Sequence, residues 1–182
     1  ELGLMRATDQ ITALGLMAID PVAKAVAPRF WAAVLTVPLL VDAARDGSVR
    51  ARSQALHTLS KIADPRGWAA IDRPVLLADD DELASSAWRA AVVLVPEDRR
   101  ERLAKVLATR LGNGDAQLRR SLSRALAALG PAAAGPLASA AADDDPAVRA
   151  HAAVTVALVD DPDADLDDAA GRVDRYYALG GD

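Results

Sequence analysis

Apolar residues in this chain recur at helical spacing, and the same stripe returns along its length. Val148, Ala152, Thr155, Val156 and Val159 fall at offsets 0, 4, 7, 8 and 11, which is one face of an α-helix. Leu118, Leu122, Ala125, Leu126 and Leu129 repeat the stripe, as do Leu83, Ala87, Ala90, Ala91 and Leu94. Val49, Ser53, Leu56 and Ser60 give a weaker copy. Each copy follows a helix-start signal: Asp46-Gly47-Ser48, Asp79-Asp80-Asp81, Gly114-Asp115 and Asp145-Pro146. An aspartate can accept the orphan N–H bonds of a first turn, and a proline fits the first helical position because it has no donor to lose. The first stripe residues stand 34, 35 and 30 positions apart, a period that signals a repeat architecture.

Second helices are predicted between the copies, at about 66–78, 97–111 and 131–142, so that each repeat is a helical hairpin. The helix at 97–111 is the most charged and buries Leu103, Val106, Leu107 and Leu111. Trp68 and Ile71 open a short helix that Pro74 interrupts, and Pro96 ends the helix before it. Asp64-Pro65-Arg66-Gly67 and Gly112-Asn113-Gly114 read as turns. Upstream, Phe30, Val34, Val37 and Val41 form a stripe that runs into an Asp46-Gly47 stop, with a kink expected at Pro38. An apolar helical run at 5–19 and a last helix at 167–179, carrying Val173, Tyr176, Tyr177 and Leu179, complete the pattern.

The chain has 182 residues, enough for one domain with a sizeable core. It is 52% hydrophobic but only 3% aromatic, so its apolar content is Ala, Leu and Val. That composition suits closely packed helices better than strands. The absence of cysteine rules out disulfides and thiolate chemistry. No apolar run reaches the roughly 18–20 residues of a membrane span, and no signal peptide is visible, so the expected location is cytoplasmic. A start at Glu1 fits a fragment or a processed product.

Candidate chemistry is sparse. Carboxylates at Asp161, Asp163, Asp165 and Asp167 invite a calcium loop, but Leu166 and Arg172 stand where such a loop needs Gly and Glu. A solvated acidic loop is the expectation. His57 and His151 lie in different repeats and are expected on helix surfaces. Residues 97–126 hold eight basic side chains against four acidic, net +4, whereas 143–182 hold eleven Asp against three Arg, net -8. The whole chain carries -5, which weighs against nucleic acid and leaves the basic segment to select a protein partner. Trp31, Trp68 and Trp88 are expected in the core or in a groove. No phosphate-binding glycine loop, nucleophile elbow or metal cluster is visible, so no catalytic residue, cofactor or metal is expected and the chain reads as a non-enzyme.

Asp145-Pro146-Ala147-Val148-Arg149-Ala150-His151-Ala152-Ala153, echoed by Val49-Arg50 and Leu118-Arg119, resembles the HEAT-repeat family in its short bacterial form over roughly residues 30–160. The resemblance implies an all-α fold, a right-handed superhelical α-solenoid of antiparallel helix pairs. It also implies that Arg50, Arg119 and Arg149 form a ladder between repeats. The first functional expectation is a scaffold that binds a protein partner along its concave face, through Arg52, Gln54, Ser86, Arg89, Arg120, Arg124 and His151. A nucleic-acid binder of the same fold is a weaker alternative.

Residues 1–41 carry a different resemblance. Glu1-Leu2-Gly3-Leu4-Met5-Arg6-Ala7-Thr8-Asp9-Gln10-Ile11, Met17-Ala18-Ile19-Asp20-Pro21, Ala27-Pro28-Arg29-Phe30-Trp31-Ala32 and Val37-Pro38-Leu39-Leu40 closely resemble the MlaE/YrbE-type permeases of bacterial lipid-transport ABC systems. The resemblance implies a cytoplasmic-side coupling segment, with Glu1, Arg6, Thr8, Asp9 and Gln10 in the coupling region. It implies docking of 1–29 on a transport ATPase at the cytoplasmic face of the inner membrane. Asp42, Arg45 and Asp46 arrive where a membrane helix should continue, and 30–41 is too short to span. The expected partition is therefore 1–41 as a permease-like helical segment capping the N-terminal end, and 42–182 as a solenoid with an acidic C-terminal cap.

Overall fold

The structure, a computed structural model, describes the backbone of residues 27–160 and the side chains of 36–159. The predicted helices at 5–19 and 167–179, the coupling residues Glu1, Arg6, Thr8, Asp9 and Gln10, the acidic 161–167 run and the acidic cap lie outside the described residues. By internal contacts the chain divides into two units, Glu1–Leu39 and Leu40–Asp182.

Every regular element among the described residues is a helix. The helices are α1 (Ala27–Asp46), α2 (Val49–Ile62), α3 (Arg73–Leu76), α4 (Asp81–Leu94), α5 (Arg100–Ala108), α6 (Ala116–Leu129), α7 (Ala134–Ala141) and α8 (Pro146–Asp160). Short 3₁₀ turns at Pro65–Ala70, Glu97–Arg99 and Gly130–Ala133 precede α3, α5 and α7.

Side-chain caps explain where the long helices begin. The Ser48 hydroxyl accepts from Ala51 N–H at 3.4 Å. Asp80 accepts from Leu83 N–H at 2.8 Å and Asp115 from Leu118 N–H at 2.7 Å. Asp145 accepts from Ala147 N–H at 2.8 Å, with Pro146 opening the helix. Each carboxylate satisfies a donor that the first turn leaves without a partner and sits at the positive end of the helix dipole.

Between the long helices the expected single helices are broken. Residues 66–78 form a 3₁₀ turn and a four-residue helix, separated by extended backbone at Ile71 and Asp72. Asp72 recaps the chain by accepting from Val75 N–H at 2.9 Å, which places Pro74 in a first turn where its missing donor is harmless. Pro131 likewise falls in the 3₁₀ turn before α7.

The long helices touch in chain order, α2 on α4, α4 on α6 and α6 on α8, while α3, α5 and α7 pack on α4, α6 and α8 respectively. The core runs through this stack. Leu56 and Leu59 of α2, Trp88 and Leu94 of α4, Leu122, Leu126 and Leu129 of α6 and Leu158 of α8 are buried in it, closed on the other side by Val75, Leu107 and Leu137. The Ala positions of α4 (Ala84, Ala87, Ala90, Ala91) are fully buried. A side chain of one carbon lets neighbouring helices approach closely, as the low aromatic content suggested.

Arginines tie carbonyl oxygens near the ends of elements. Arg45 donates to the Ala69 carbonyl, Arg52 Nε to the Ala44 carbonyl at 3.0 Å and Arg100 to the Ala128 carbonyl at 3.1 Å. Arg149, expected in a ladder between repeats, instead donates to the carbonyls of Asp143 and Asp144 in its own turn, at 2.8 and 2.9 Å.

Candidate functional site

The seven residues expected on one partner-binding face do not share an environment. Gln54, Arg89, Arg120 and Arg124 are exposed and Arg52 is half-buried. Ser86 and His151, expected at the surface, are 9% and 7% exposed. The reason is register. Ser86 and His151 each stand three residues after the first stripe position of their helix, Leu83 and Val148, and an i+3 neighbour lies on the same face. Arg89 on α4 reaches back to α2, its guanidinium 3.3 Å from His57 Nδ1.

Ser86 and His151 are each part of a buried polar contact between long helices. Ser86 Oγ lies 2.9 Å from Ser53 Oγ, joining α4 to α2, and Ser53 also donates to Glu82 Oε1 at 3.3 Å. The second contact joins α6, α8 and the 112–114 turn. Gly112 N–H donates to His151 Nδ1 at 3.0 Å. His151 Nε2 lies 3.1 Å from the Arg119 carbonyl and 3.0 Å from Ser123 Oγ. Ser123 Oγ is 2.8 Å from Thr155 Oγ1, and Thr155 donates to the His151 carbonyl at 2.8 Å.

A buried Ser beside a His invites a nucleophile–base reading. The bond directions oppose it. Nδ1 accepts an N–H, so it is unprotonated, and the Arg119 carbonyl can only accept, so Nε2 carries the hydrogen. The Nε2 atom facing Ser123 therefore has no lone pair with which to take its proton. The Ser123 hydroxyl accepts from His151 and donates to Thr155, whose own proton goes to the His151 carbonyl. Every donor has an acceptor, and Ser123 is 1% exposed. Burial is the main force holding the imidazole below its ordinary pKa, the Arg119 guanidinium adds to this, and the bond to the Arg119 carbonyl opposes it.

The sequence reading missed Ser123, Thr155 and Gly112 as partners of this histidine. Thr155 was placed on the buried stripe, and a hydroxyl there needs a partner; that was the available signal. Gly112 was read as a turn. Its φ of +82° and the 3.1 Å that a Cβ would leave to Val148 N show that the turn is pressed against α8.

A cleft of about 230 Å³ lies between the first turns of α4 and α6, lined by Asp81, Glu82, Ser85, Asp115, Gln117, Leu118 and Ser121. Its Asp115 carboxylate caps α6 and its Glu82 carboxylate accepts from Ser53. Among the described residues no cluster of His, Cys, Asp or Glu has a metal-holding arrangement. The basic stretch is partly neutralised by its own neighbours, with Arg100 3.6 Å from Glu97 in the preceding 3₁₀ turn and Lys105 2.7 Å from Glu101 on α5. Trp88 is fully buried and Trp68 half-buried, while the side chain of Trp31 lies outside the described set. Among the described residues no helix is long and apolar enough to cross a membrane.

Comparison with known proteins finds similarity at one end of the chain. Residues 1–45 match the family model for the permease MlaE. Over 40 residues the chain is 52% identical to the intermembrane phospholipid transport system permease protein MlaE of Haemophilus influenzae. That alignment covers 22% of this chain and 15% of the relative. No solved structure matches the chain. These findings overturn the first functional expectation, a HEAT-type scaffold with a partner along its concave face: the kinship falls on residues 1–45, and the relative is a permease. The burial of Ser86 and His151 removes two of the seven residues that the expected face required. What the comparisons establish is a permease-like segment occupying 45 of 182 residues.

Proposed function

We propose that this chain is a partial permease subunit of a phospholipid-transport ABC system, acting through residues 1–45 at the cytoplasmic face of the inner membrane. The observation that carries the reading is the 52% identity to a phospholipid-transport permease over 40 consecutive aligned residues. Since the aligned stretch is 15% of the relative, transport itself would require further subunits, and the part assigned to this chain is coupling. Glu1, Arg6, Thr8, Asp9 and Gln10 supply the polar contacts to the transport ATPase. No bond-making chemistry is assigned to the chain.

The helical body from Val49 onward is read as a stack of antiparallel helix pairs of the solenoid type. The order of packing supports this: long helix on long helix in sequence, with a short helix closing each pair. In this reading the body is the carrier to which the permease-like segment is joined.

Co-purification tests the proposal. Residues 1–182 and 42–182 are each used as bait on solubilised inner membranes, and captured proteins are identified by mass spectrometry. The expected result is recovery of a lipid-transport ATPase with 1–182 and not with 42–182, and its loss from 1–182 carrying Arg6→Glu and Asp9→Arg. Equal recovery with both baits, or recovery with neither, overturns the reading.

A further inference from the structure

We propose that His151 is an acid-sensitive latch: protonation of its Nδ1 breaks the Gly112 bond and releases the 109–115 turn from α8. This goes beyond the transport reading and does not depend on it.

The argument begins with which atom can take a proton. Nε2 already carries one, directed at the Arg119 carbonyl and Ser123 Oγ. Nδ1 is the single open site, and its lone pair is occupied by Gly112 N–H at 3.0 Å. Once Nδ1 is protonated, two N–H donors point at each other across that distance. A contact that was attractive becomes repulsive, and the new Nδ1–H, on a residue only 7% exposed, faces a donor in place of an acceptor.

The strain has few ways to relax. A Cβ-sized space beside Gly112 is already filled by the Val148 side chain and backbone, and the turn holds φ +82°. Thr155 bonds the His151 carbonyl from the next turn and Ser123 from α6, so sliding the ring means moving α8. The relaxation available is separation of the 109–115 turn from the first turns of α8.

The surrounding charges favour release. On α8 itself the ionisable neighbour is Arg149, turned onto the carbonyls of Asp143 and Asp144. On α6 it is Arg119, whose positive charge disfavours an imidazolium. The turn contributes Arg110, which donates to the Ala78 carbonyl, and Asp115, whose carboxylate caps α6. The helix α7 has no ionisable side chain in its sequence. The loop before α8 carries Asp143, Asp144 and Asp145, of which Asp143 and Asp145 accept backbone N–H groups at 2.9 and 2.8 Å.

The sign follows from linkage. Folding lowers the proton affinity of His151, so the unfolded chain binds more protons in the acid range. The latch is whole above the unfolded-state value of about 6.5 and is lost as pH falls through the folded value. One proton is involved, so the open population rises by up to about tenfold per pH unit between the unfolded-state value and the folded one, and levels off below the folded one.

Amide hydrogen exchange on the full chain, followed by NMR from pH 7.5 to pH 4.5 and corrected for intrinsic exchange, tests the latch. The expected result is a selective loss of protection at Gly112 and in the first turns of α8, while the amides of α2 and α4 keep theirs. His151→Asn is the matched variant, since Oδ1 can accept from Gly112 N–H and does not titrate; its protection at these sites should be independent of pH. His57→Asn should behave as wild type. If His151→Asn does not fold, the His151 ring resonance of the wild type supplies the decision, because its titration midpoint must coincide with the loss of protection at Gly112. Gly112 protection that survives His151 titration, a wild-type loss that His151→Asn reproduces, or global unfolding before His151 titrates overturns the proposal.

Discussion

Replacing Trp88 by Phe should separate the two things that fix α4 against the segment before it. Trp88 is 1% exposed, and its Nε1–H donates to the Leu76 carbonyl at 2.8 Å. Phe keeps most of the apolar ring but deletes the donor. A buried carbonyl deprived of its donor costs about 1–3 kcal/mol. The smaller ring leaves a void of about 40 Å³, which at about 24 cal/mol per Å³ adds roughly 1 kcal/mol. The expected loss is about 2–4 kcal/mol, or a fall in Tm of roughly 5–15 °C for a chain of this size. Thermal unfolding followed by circular dichroism at 222 nm reads it. Trp68→Phe is the internal comparison: Trp68 is half-buried, and the same change there should cost clearly less. A Trp88→Phe protein that melts within 2 °C of wild type would refute the reasoning. It would mean that neither the indole bond nor the filled volume restrains α4, and that the packing of its alanines suffices.

Two further changes follow from local geometry. Ala63 closes α2 with φ +54°, in the left-handed region, so Ala63→Gly should raise stability by about 0.5–1 kcal/mol, the left-handed penalty less the extra backbone entropy of glycine; a lower midpoint in urea would show that the Ala63 methyl is holding something else. Asp115→Ala should cost about 0.5–2 kcal/mol through the lost cap, and Asp115→Asn should restore most of it because an amide oxygen can still accept from Leu118 N–H; equal losses in both variants would point to the carboxylate charge instead.

The helix starts were legible because their determinants are local. Asp80, Asp115 and Asp145 announce helices that begin at Asp81, Ala116 and Pro146, and no distant contact is needed to place them. The apolar stripes foretold the buried faces of α4 and α6 for the same reason. The elements between them were less legible. Residues 66–78 have helical composition, but Asp72 can either continue a helix or cap a new one, and the structure takes the second course because Pro74 is best placed in a first turn. Residues 97–111 yielded a helix only from Arg100 to Ala108, since 3₁₀ turns at either end cannot be told from α-helix by periodicity.

The buried polar contacts were misread for a different reason. A polar residue beside an apolar stripe reads as surface, and whether it is depends on what the next helix offers. Ser53 and Ser86 are inside because each is the other's partner, and His151 is inside because Gly112, Arg119 and Ser123 surround it. Those partners lie 28–39 residues away in sequence. The permease-like segment was legible outright, since its signal is an ordered string of residues and not a pattern that packing must complete.

That segment and the helical body meet at a recognisable place in the sequence. The family match ends at residue 45 and α1 ends at Asp46. Gly47 follows, where a Cβ would stand 2.5 Å from the Ala43 carbonyl, so any larger residue would force that helix end apart. Ser48 then caps α2. The permease-like sequence thus stops within one residue of a helix boundary, where a second helix can follow without disturbing the backbone bonds of the first. The same boundary limits what the segment can do. From Phe30 to Val41 there are 12 residues before the charges Asp42, Arg45 and Asp46; at about 1.5 Å per residue they cover roughly 18 Å, against about 30 Å of bilayer hydrocarbon. On the proposed reading, a segment that resembles a permease without the length to carry its chain across hydrocarbon serves the contact with the ATPase, and translocation falls to other subunits.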